Sequence, residues 1–319
     1  MKYTGLQSQI TSNNRKSILL LMAFPILVLV MVFAFVYFMN IQEEGPAPIS
    51  VVWYSFVEYI PWTLVIVAVW FVIAYFSNAA MINSAAKSKT LTRKDNMRVY
   101  NLTENLCMSV GMTMPKLRIM ESSALNAFAS GINKKKFTVT LTRGIIDTLD
   151  DEELEGVIAH ELTHIRNNDV KLLIVSIIFV GIFSFVVQVA FRSIIYSSLT
   201  SGRRRDNGKG GSAVMIVILV LALLAYFLSL LFKLSLSRKR EYLADSGAVE
   251  MTRNSLGLAS ALEKISGNHH VDQVKSDDVQ ELFIENSPEK GKGGFLNKIK
   301  SFFSTHPPID KRIAYLRQF

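Results

Sequence analysis

Cysteine is nearly absent from this chain of 319 residues, in which Cys107 is the only one. A disulfide within the chain is therefore excluded, which fits a reducing compartment. No histidine and acid at a suitable spacing accompany the thiol in the sequence. We therefore interpret Cys107 as a small buried residue rather than as a nucleophile.

Charged side chains are absent from four long apolar segments. The segments are Ile18 to Met39, Pro61 to Ala80, Leu172 to Phe191 and Ala213 to Phe232. Each is long enough to cross a hydrocarbon core about 30 Å thick. The lack of charge argues against a transporter or proton relay, which places ionisable groups inside its bundle. No small-residue cleavage pattern follows the first segment, so we interpret it as an uncleaved signal anchor.

The distribution of lysine and arginine predicts the orientation in the membrane. Residues 40–60 contain three glutamates and no basic residue, whereas five bases lie between Lys87 and Arg98. By the positive-inside rule, the N-terminus and residues 81–171 are cytoplasmic. The turn between the third and fourth segments contradicts the rule because it contains Arg192, Arg203, Arg204, Arg205 and Lys209. Full crossing by the 172–232 hairpin stays open, but both of its ends lie on one face in either case.

The net charge of +9 lies mostly beside the apolar segments. Lys233 and the run from Arg238 to Arg240 follow the fourth segment directly, where anionic lipid headgroups attract bases. The bases accompany no recognised nucleic-acid-binding motif. The predicted partner is therefore a lipid bilayer and not nucleic acid, and no oligomeric state is predicted.

The apolar segments divide the chain into four predicted parts. These are an N-terminal membrane hairpin at 1–80, a cytoplasmic catalytic part at 81–171, a second membrane hairpin at 172–232 and a second cytoplasmic catalytic part at 233–319. Phe137 to Thr142 alternates with period two, which predicts a strand. Asp150 followed three residues later by Glu153 predicts the capping box of a helix. The predicted fold class is mostly α with a small β-sheet.

His160-Glu161-Leu162-Thr163-His164 lies on the predicted helix after Asp150. Histidines four residues apart project side by side and can hold one metal ion, which leaves Glu161 beside the metal's water. Glu161 falls inside the apolar stripe of the helix, where a carboxylate needs a cation, a polar cleft or a proton. The alternative is a chance match on a charged helix. We favour a zinc peptidase site.

Zinc requires a third protein ligand, and Glu241 is our prediction. If the last two apolar segments form a hairpin and helix continues past both ends, His164 and Glu241 lie roughly 12 and 13 Å from the membrane boundary. Asp245, one turn further on, is placed to accept the free ring N–H of a zinc histidine. The alternative is that Glu241 and Asp245 offset the bases at 238–240 on a solvated face.

Four motifs of this chain resemble those of the HtpX heat-shock membrane peptidases. They are the H-E-x-x-H helix, the E-x-x-x-D from Glu241 to Asp245, the stretch from Asn126 to Gly131, and His306-Pro307-Pro308 followed by Arg312. HtpX enzymes are related to the CAAX prenyl endopeptidases and are gluzincin-like, with glutamate as the third ligand. The resemblance implies one Zn²⁺ per chain, held by His160, His164 and Glu241, with Glu161 as the catalytic residue.

The resemblance also implies how substrate is held. Asn126 and the following strand edge, Ala127, Phe128 and Ala129, are expected to bind substrate backbone. His306 and Arg312 are expected to help bind substrate or stabilise the transition state. His306 is fixed by two prolines and is placed to donate to an oxyanion, the alternative being a helix cap. Asp169 matches the family's pattern without an assigned role.

The predicted protein is a multi-pass, zinc-dependent endopeptidase of the bacterial inner membrane with its catalytic part in the cytoplasm. An extended peptide adds to the edge at Phe137–Thr142 or Asn126–Ser130 through backbone hydrogen bonds, which favours unfolded membrane proteins as substrates. Intramembrane cleavage is disfavoured because charged residues surround the motif. Two further alternatives are a prenyl-protein peptidase and a non-catalytic scaffold held together by its metal.

Overall fold

The structure is a computed structural model that describes residues 6–42, 45–200, 216–228, 238–268, 271, 282–284 and 306–319. Its helices are α1 Leu6–Met39, α2 Ile49–Ala85, α3 Met97–Ser109, α4 Arg143–Thr148, α5 Asp151–Arg166, α6 Asp169–Thr200, α7 Ile216–Leu228, α8 Arg238–Thr252, α9 Ser255–Gly267 and α10 Ile309–Leu316. Its strands are β1 Ile41–Gln42, β2 Gly45–Pro46, β3 Lys89–Thr90, β4 Lys116–Met120, β5 Ala127–Ser130 and β6 Thr138–Thr142. The predicted fold class, mostly helical with a small sheet, is confirmed.

Three of the described helices are long and apolar enough to cross a membrane. The apolar stretches are Met22–Met39 in α1, Ile49–Ser77 in α2 and Asp169–Val189 in α6. The fourth predicted segment is described only as α7, an apolar helix shorter than a full span. The basic turn at 203–205 lies outside the described residues.

The predicted start of the second span at Pro61 is wrong. α2 begins at Ile49 and Pro61 lies inside it, so the connection after α1 is shorter than the predicted loop. Residues 49–60 are mostly apolar, and proline removes only one backbone donor from a helix. A proline inside a membrane helix is tolerated because local adjustments can satisfy the freed carbonyl.

The chain divides into two compact units. One comprises residues 17–75 and 175–232, and the other comprises 1–16, 76–174 and 233–319. In the first unit, aromatic rings join the apolar helices: Phe24 stacks on Phe179 with ring centroids 4.3 Å apart. The second unit contains the four-stranded sheet together with α5, α8, α9 and α10.

The sheet of the second unit has the strand order β3-β4-β6-β5. β6 pairs in parallel with β4 and antiparallel with β5. The prediction that Phe137–Thr142 offers a free edge is therefore wrong, because β6 has a neighbour on both sides. Among the described strands, β5 lies at the edge of the sheet, and Gly131 at φ +110° turns the chain from β5 towards β6. A Cβ at Gly131 would overlap the backbone of Lys136.

α5 begins with the predicted capping box. The Asp150 side chain accepts a hydrogen bond from the Glu153 amide, and the Glu153 side chain accepts one from the Asp150 amide, both at 3.0 Å. One face of α5 packs on α8 at a close approach, where Gly247 lies against Thr163. This close approach of the two helices brings the side chains of α8, among them Glu241, near those of α5.

Replacing Gly247 with alanine is expected to destabilise this unit, because the new methyl would overlap the Thr163 methyl. Overpacking of this kind costs about 1–3 kcal/mol in the free energy of unfolding. Thr163→Ser removes the methyl and keeps the hydroxyl that bonds the Ala159 carbonyl at 2.8 Å. The double variant should recover part of the loss in denaturant unfolding, because the Thr163 hydroxyl oxygen would still lie 2.9 Å from the new methyl. No recovery would mean that the approach of Gly247 to Thr163 does not limit the packing of α8.

Candidate metal centre

The last two turns of α5 carry the H-E-x-x-H motif into the interior. His160 is fully buried and Glu161 is 2% exposed. α5 ends at Arg166, and Asn168 takes a positive φ of 59° that turns the chain into α6. This turn brings Asp169, the first residue of α6, back towards His164.

Two imidazole nitrogens and one carboxylate converge at this point. Nε2 of His160 lies 3.1 Å from Nε2 of His164. Glu241, from the first turn of α8, places Oε1 3.5 Å from His164 Nε2 and Oε2 3.7 Å from His160 Nε2. The predicted trio therefore meets, although Glu241 lies far from the histidines along the chain.

This donor set fits a divalent metal ion. Two imidazole nitrogens that face each other at 3.1 Å must have a proton or a cation between them. Zn–N bonds of about 2.0–2.1 Å in a tetrahedron place neighbouring ligand atoms about 3.3 Å apart, close to the separations found here. One ligand atom from each of the three residues lies within 4.8 Å of the others.

Glu241 and Asp245 do not lie on a solvated face. Glu241 is 5% exposed and Asp245 is fully buried, so the alternative in which they merely offset nearby bases is wrong. Burial opposes ionisation of Glu241, but His306 and His164 outweigh it and lower the pKa of Glu241 well below its usual value. An ionised carboxylate in this position is suited to bind a cation.

Glu161 points into the same space without being one of the three converging groups. Burial is the largest influence and raises the pKa of Glu161, against the opposing effects of the two histidines and of the Ala129 amide. The backbone N–H of Ala129 is directed towards the Glu161 carboxylate and favours its ionised form. A carboxylate whose pKa is raised is suited to take up and release a proton.

Each of the two converging histidines has a carboxylate beside its other ring nitrogen. Nδ1 of His160 lies 3.0 Å from Asp245 Oδ1, and Nδ1 of His164 lies 3.1 Å from Asp169 Oδ2. Such partners fix the tautomer and the orientation of a ligand imidazole. The pairing with Asp169 was not predicted, although its position five residues after His164, across the end of α5, was visible in the sequence.

Arg312 is fully buried next to His160, and its Nη2 lies 3.4 Å from both ring nitrogens of His160. Its guanidinium donates to both oxygens of Asp245, at 2.7 and 3.0 Å, and to the carbonyl of Ile284 at 2.9 Å. Burial opposes ionisation of Asp245, but Arg312 and His160 outweigh it and lower the pKa of Asp245. The structure thus places Arg312 against the buried carboxylate of Asp245 and not at the protein surface.

His306 completes the group around Glu241. Its Nδ1 lies 3.0 Å from Glu241 Oε2, and its side chain is 7% exposed. The N-cap residue of α10 is Pro308, which makes no side-chain cap hydrogen bond. The alternative that His306 caps this helix is therefore wrong.

β5 borders the site on the side of Glu161. Asn126 is buried, and its side-chain oxygen accepts from the Ala127 amide at 3.0 Å. Ala127, Phe128 and Ala129 are also buried. The space at the centre of the site amounts to about 30 Å³ and is lined by Ala129, Glu161, His164, Asp169, Val170, Leu173, Arg240, Glu241, Leu282 and His306.

Replacing Arg312 with methionine is expected to lower the free energy of unfolding by about 3–5 kcal/mol, because it leaves Asp245 buried without its cation. Arg317→Met is the matched control, since Arg317 directly follows α10 and pairs with Glu263 at the surface. That change should cost no more than about 1 kcal/mol. Denaturant unfolding of the detergent-solubilised variants compares the two, and equal losses would contradict the structural weight given to Arg312.

Relatives of known sequence extend over the whole chain. The model of peptidase family M48 matches residues 93–319. A protein named protease HtpX homolog from Bacteroides fragilis is 48% identical over 324 aligned positions, which cover 100% of this chain and 100% of that protein. Proteins of the same name from Listeria monocytogenes serotype 4b and Dictyoglomus thermophilum are each 37% identical, covering 97% and 99% of this chain and 98% and 96% of their own length.

The fold is similar to that of a solved structure. The crystal structure of S. mikatae Ste24p superposes with a TM-score of 0.50 at 19% identity. The match covers 82% of this chain and 58% of that one, so the present chain spans little more than half of the larger protein.

Proposed function

The chain belongs to peptidase family M48 and is a membrane-bound metalloprotease, and from this premise we propose a zinc-dependent endopeptidase that degrades misfolded or damaged membrane proteins at the cytoplasmic membrane surface. The predicted resemblance to HtpX peptidases is confirmed by relatives that match along the full length. The observation that carries the finer proposal is the convergence of His160, His164 and Glu241 beside Glu161.

The proposed ligands are His160, His164 and Glu241, with one ion per chain. Zn²⁺ bound there would polarise a peptide carbonyl and lower the pKa of a water molecule towards 7. Asp245 and Asp169 hold the two imidazoles with their Nε2 atoms turned towards each other, as shared binding of one ion would require.

Glu161 is the proposed general base and acid. Its carboxylate takes a proton from the attacking water and passes it to the leaving amine, which completes hydrolysis of the peptide bond. His306, beside Glu241, donates to the oxygen of the carbonyl as negative charge develops there. Arg312 acts through Asp245 as a positioning residue, since its guanidinium fixes both carboxylate oxygens.

The proposed substrates are extended segments of unfolded polypeptide. β5 is the edge strand beside Glu161, and a peptide that pairs with an edge does so through backbone groups that every residue has. Selection then depends on whether a segment is unstructured rather than on its sequence. Anchoring to the bilayer by α1, α2 and α6 favours the loops and tails of membrane proteins.

The proposed orientation places residues 81–171 and 233–319 in the cytoplasm and residues 1–80 and 172–232 in the membrane. The bases between Lys87 and Arg98 support it, because basic residues beside membrane spans stay on the cytoplasmic side. The glutamates at 43 and 44, in the connection that precedes the second span, fit the same orientation.

Casein added to sealed membranes of known orientation tests reaction and orientation together. Inverted inner-membrane vesicles that contain the protein should degrade casein, whereas intact spheroplasts should not. A chelator should stop the reaction and Zn²⁺ should restore it. Degradation by spheroplasts alone would contradict the orientation, and degradation that survives removal of all metal would contradict the chemistry.

A further inference from the structure

The outer edge of β5 is already engaged by groups of the same chain. The Thr142 amide donates to the Asn126 carbonyl, so Asn126 is hydrogen-bonded to the chain of β6. Every second residue of an antiparallel strand makes such bonds, and the backbone groups of Ala127 and Ala129 therefore point away from β6. The Ala129 amide is directed to Glu161. The Ala127 carbonyl accepts the amide of Ile284 at 2.8 Å.

The segment Leu282–Ile284 packs against the outer edge of β5. All three residues are buried: Leu282 is 7%, Phe283 2% and Ile284 1% exposed. The Phe283 ring meets the Phe128 ring edge-on with centroids 5.2 Å apart. The Ile284 carbonyl accepts from Arg312, which itself holds Asp245. The segment is thus fixed both to β5 and to the residues that orient His160.

Leu282 also closes the space beside the metal-facing residues. It lines that space together with Glu161, His164 and Glu241. The space that remains there for water-sized groups is small, about 30 Å³. A peptide that pairs with the Ala127 carbonyl along β5 therefore competes with Leu282–Ile284 for the same position.

We propose that Leu282–Ile284 occupies the backbone position of a peptide substrate on β5, so that the protein rests in a self-blocked form and substrate binds by displacing this segment. The inference rests on the proposed function, because it assumes that peptides add to the β5 edge. The carbonyl of Ala127 is the group for which the Ile284 amide and the substrate amide compete. An extended polypeptide with apolar side chains is the ligand class that replaces the segment.

Hydrogen exchange on the Zn²⁺-loaded Glu161→Gln variant tests the displacement, because this variant should bind casein without cleaving it. On addition of casein, amides of fragments that contain residues 282–284 should exchange faster, while those of fragments that contain β5 should be protected. Protection of both fragments would overturn the proposal, because the segment would then stay in place. Unchanged exchange in both fragments while casein binds would overturn it too.

Kinetics of two substitutions at one position provide a second test. Ile284→Pro removes the amide that bonds Ala127, whereas Ile284→Val keeps it. Loss of one such hydrogen bond should lower the KM for casein roughly threefold to tenfold. Equal KM values for the two variants, both with normal zinc content, would contradict the proposal. The exchange experiment decides if the proline variant does not fold.

Failure of this inference differs from failure of the proposed function. If the wild-type protein degrades casein in a metal-dependent manner and residues 282–284 are not released, only the self-blocked form is wrong. If metal-dependent degradation is absent, the proposed function is wrong.

Discussion

Replacing Glu161 with glutamine is expected to reduce casein degradation by roughly 10²- to 10⁴-fold, the contribution of a well-placed general base. Glutamine has the same shape and can accept the Ala129 amide through its side-chain oxygen. It cannot accept the proton of the attacking water. The bound metal should remain, because Glu161 is not one of the three converging groups.

Glu155→Gln is the matched control for this change. Glu155 lies on the same helix and is half-buried, but it does not line the site. Its substitution should leave the rate within about twofold, as expected of a surface change with no catalytic contact. The measurement is the initial rate of casein cleavage at equal zinc content. Survival of full activity in Glu161→Gln would contradict the assignment of Glu161 as the proton-transferring group.

Replacing Glu241 with glutamine is expected to weaken zinc binding by more than about 100-fold. Removing a residue that only hydrogen-bonds to a metal ligand typically weakens binding by about 10- to 100-fold, and loss of a ligand itself should cost more. The carboxylate supplies the only negative charge among the three proposed ligands. Its loss should leave His160 and His164 as a two-nitrogen site. Activity should fall with the metal content, and excess Zn²⁺ should restore it only in part.

Glu250→Gln provides the control for Glu241, since it lies on the same helix α8 and pairs with Arg166 near the surface. Zinc content after dialysis against a competing chelator, measured by mass spectrometry, should be unchanged in the control and low in Glu241→Gln. Equal stoichiometry in both variants would exclude Glu241 as a ligand, whatever its effect on activity.

Local features of this protein could be predicted from sequence because their causes lie within a few residues. The capping box of Asp150 and Glu153 depends on a spacing of three, and the alignment of His160 with His164 depends on a spacing of four. Both are found in the structure. The third group, Glu241, required a longer inference, from the positions of two histidines and one carboxylate relative to the ends of a helical hairpin.

Features that depend on distant pairing could not be predicted. The sequence predicts an edge strand at Phe137–Thr142 as well as at Asn126–Ser130. The alternation of polar and apolar residues identifies a strand, but it does not show which strands lie beside it. The parallel pairing of β4 with β6 covers that edge. The contact of Ile284 with Ala127 joins residues far apart in the sequence through a single backbone hydrogen bond, for which no side-chain pattern is required.

Anomalous X-ray scattering from crystals of the purified protein, collected on both sides of the zinc absorption edge, tests the central claim most directly. One peak per chain is expected, within about 2.0–2.2 Å of His160 Nε2, His164 Nε2 and a carboxylate oxygen of Glu241. A peak bonded to other residues, or full zinc content with no peak beside these three, would contradict the account.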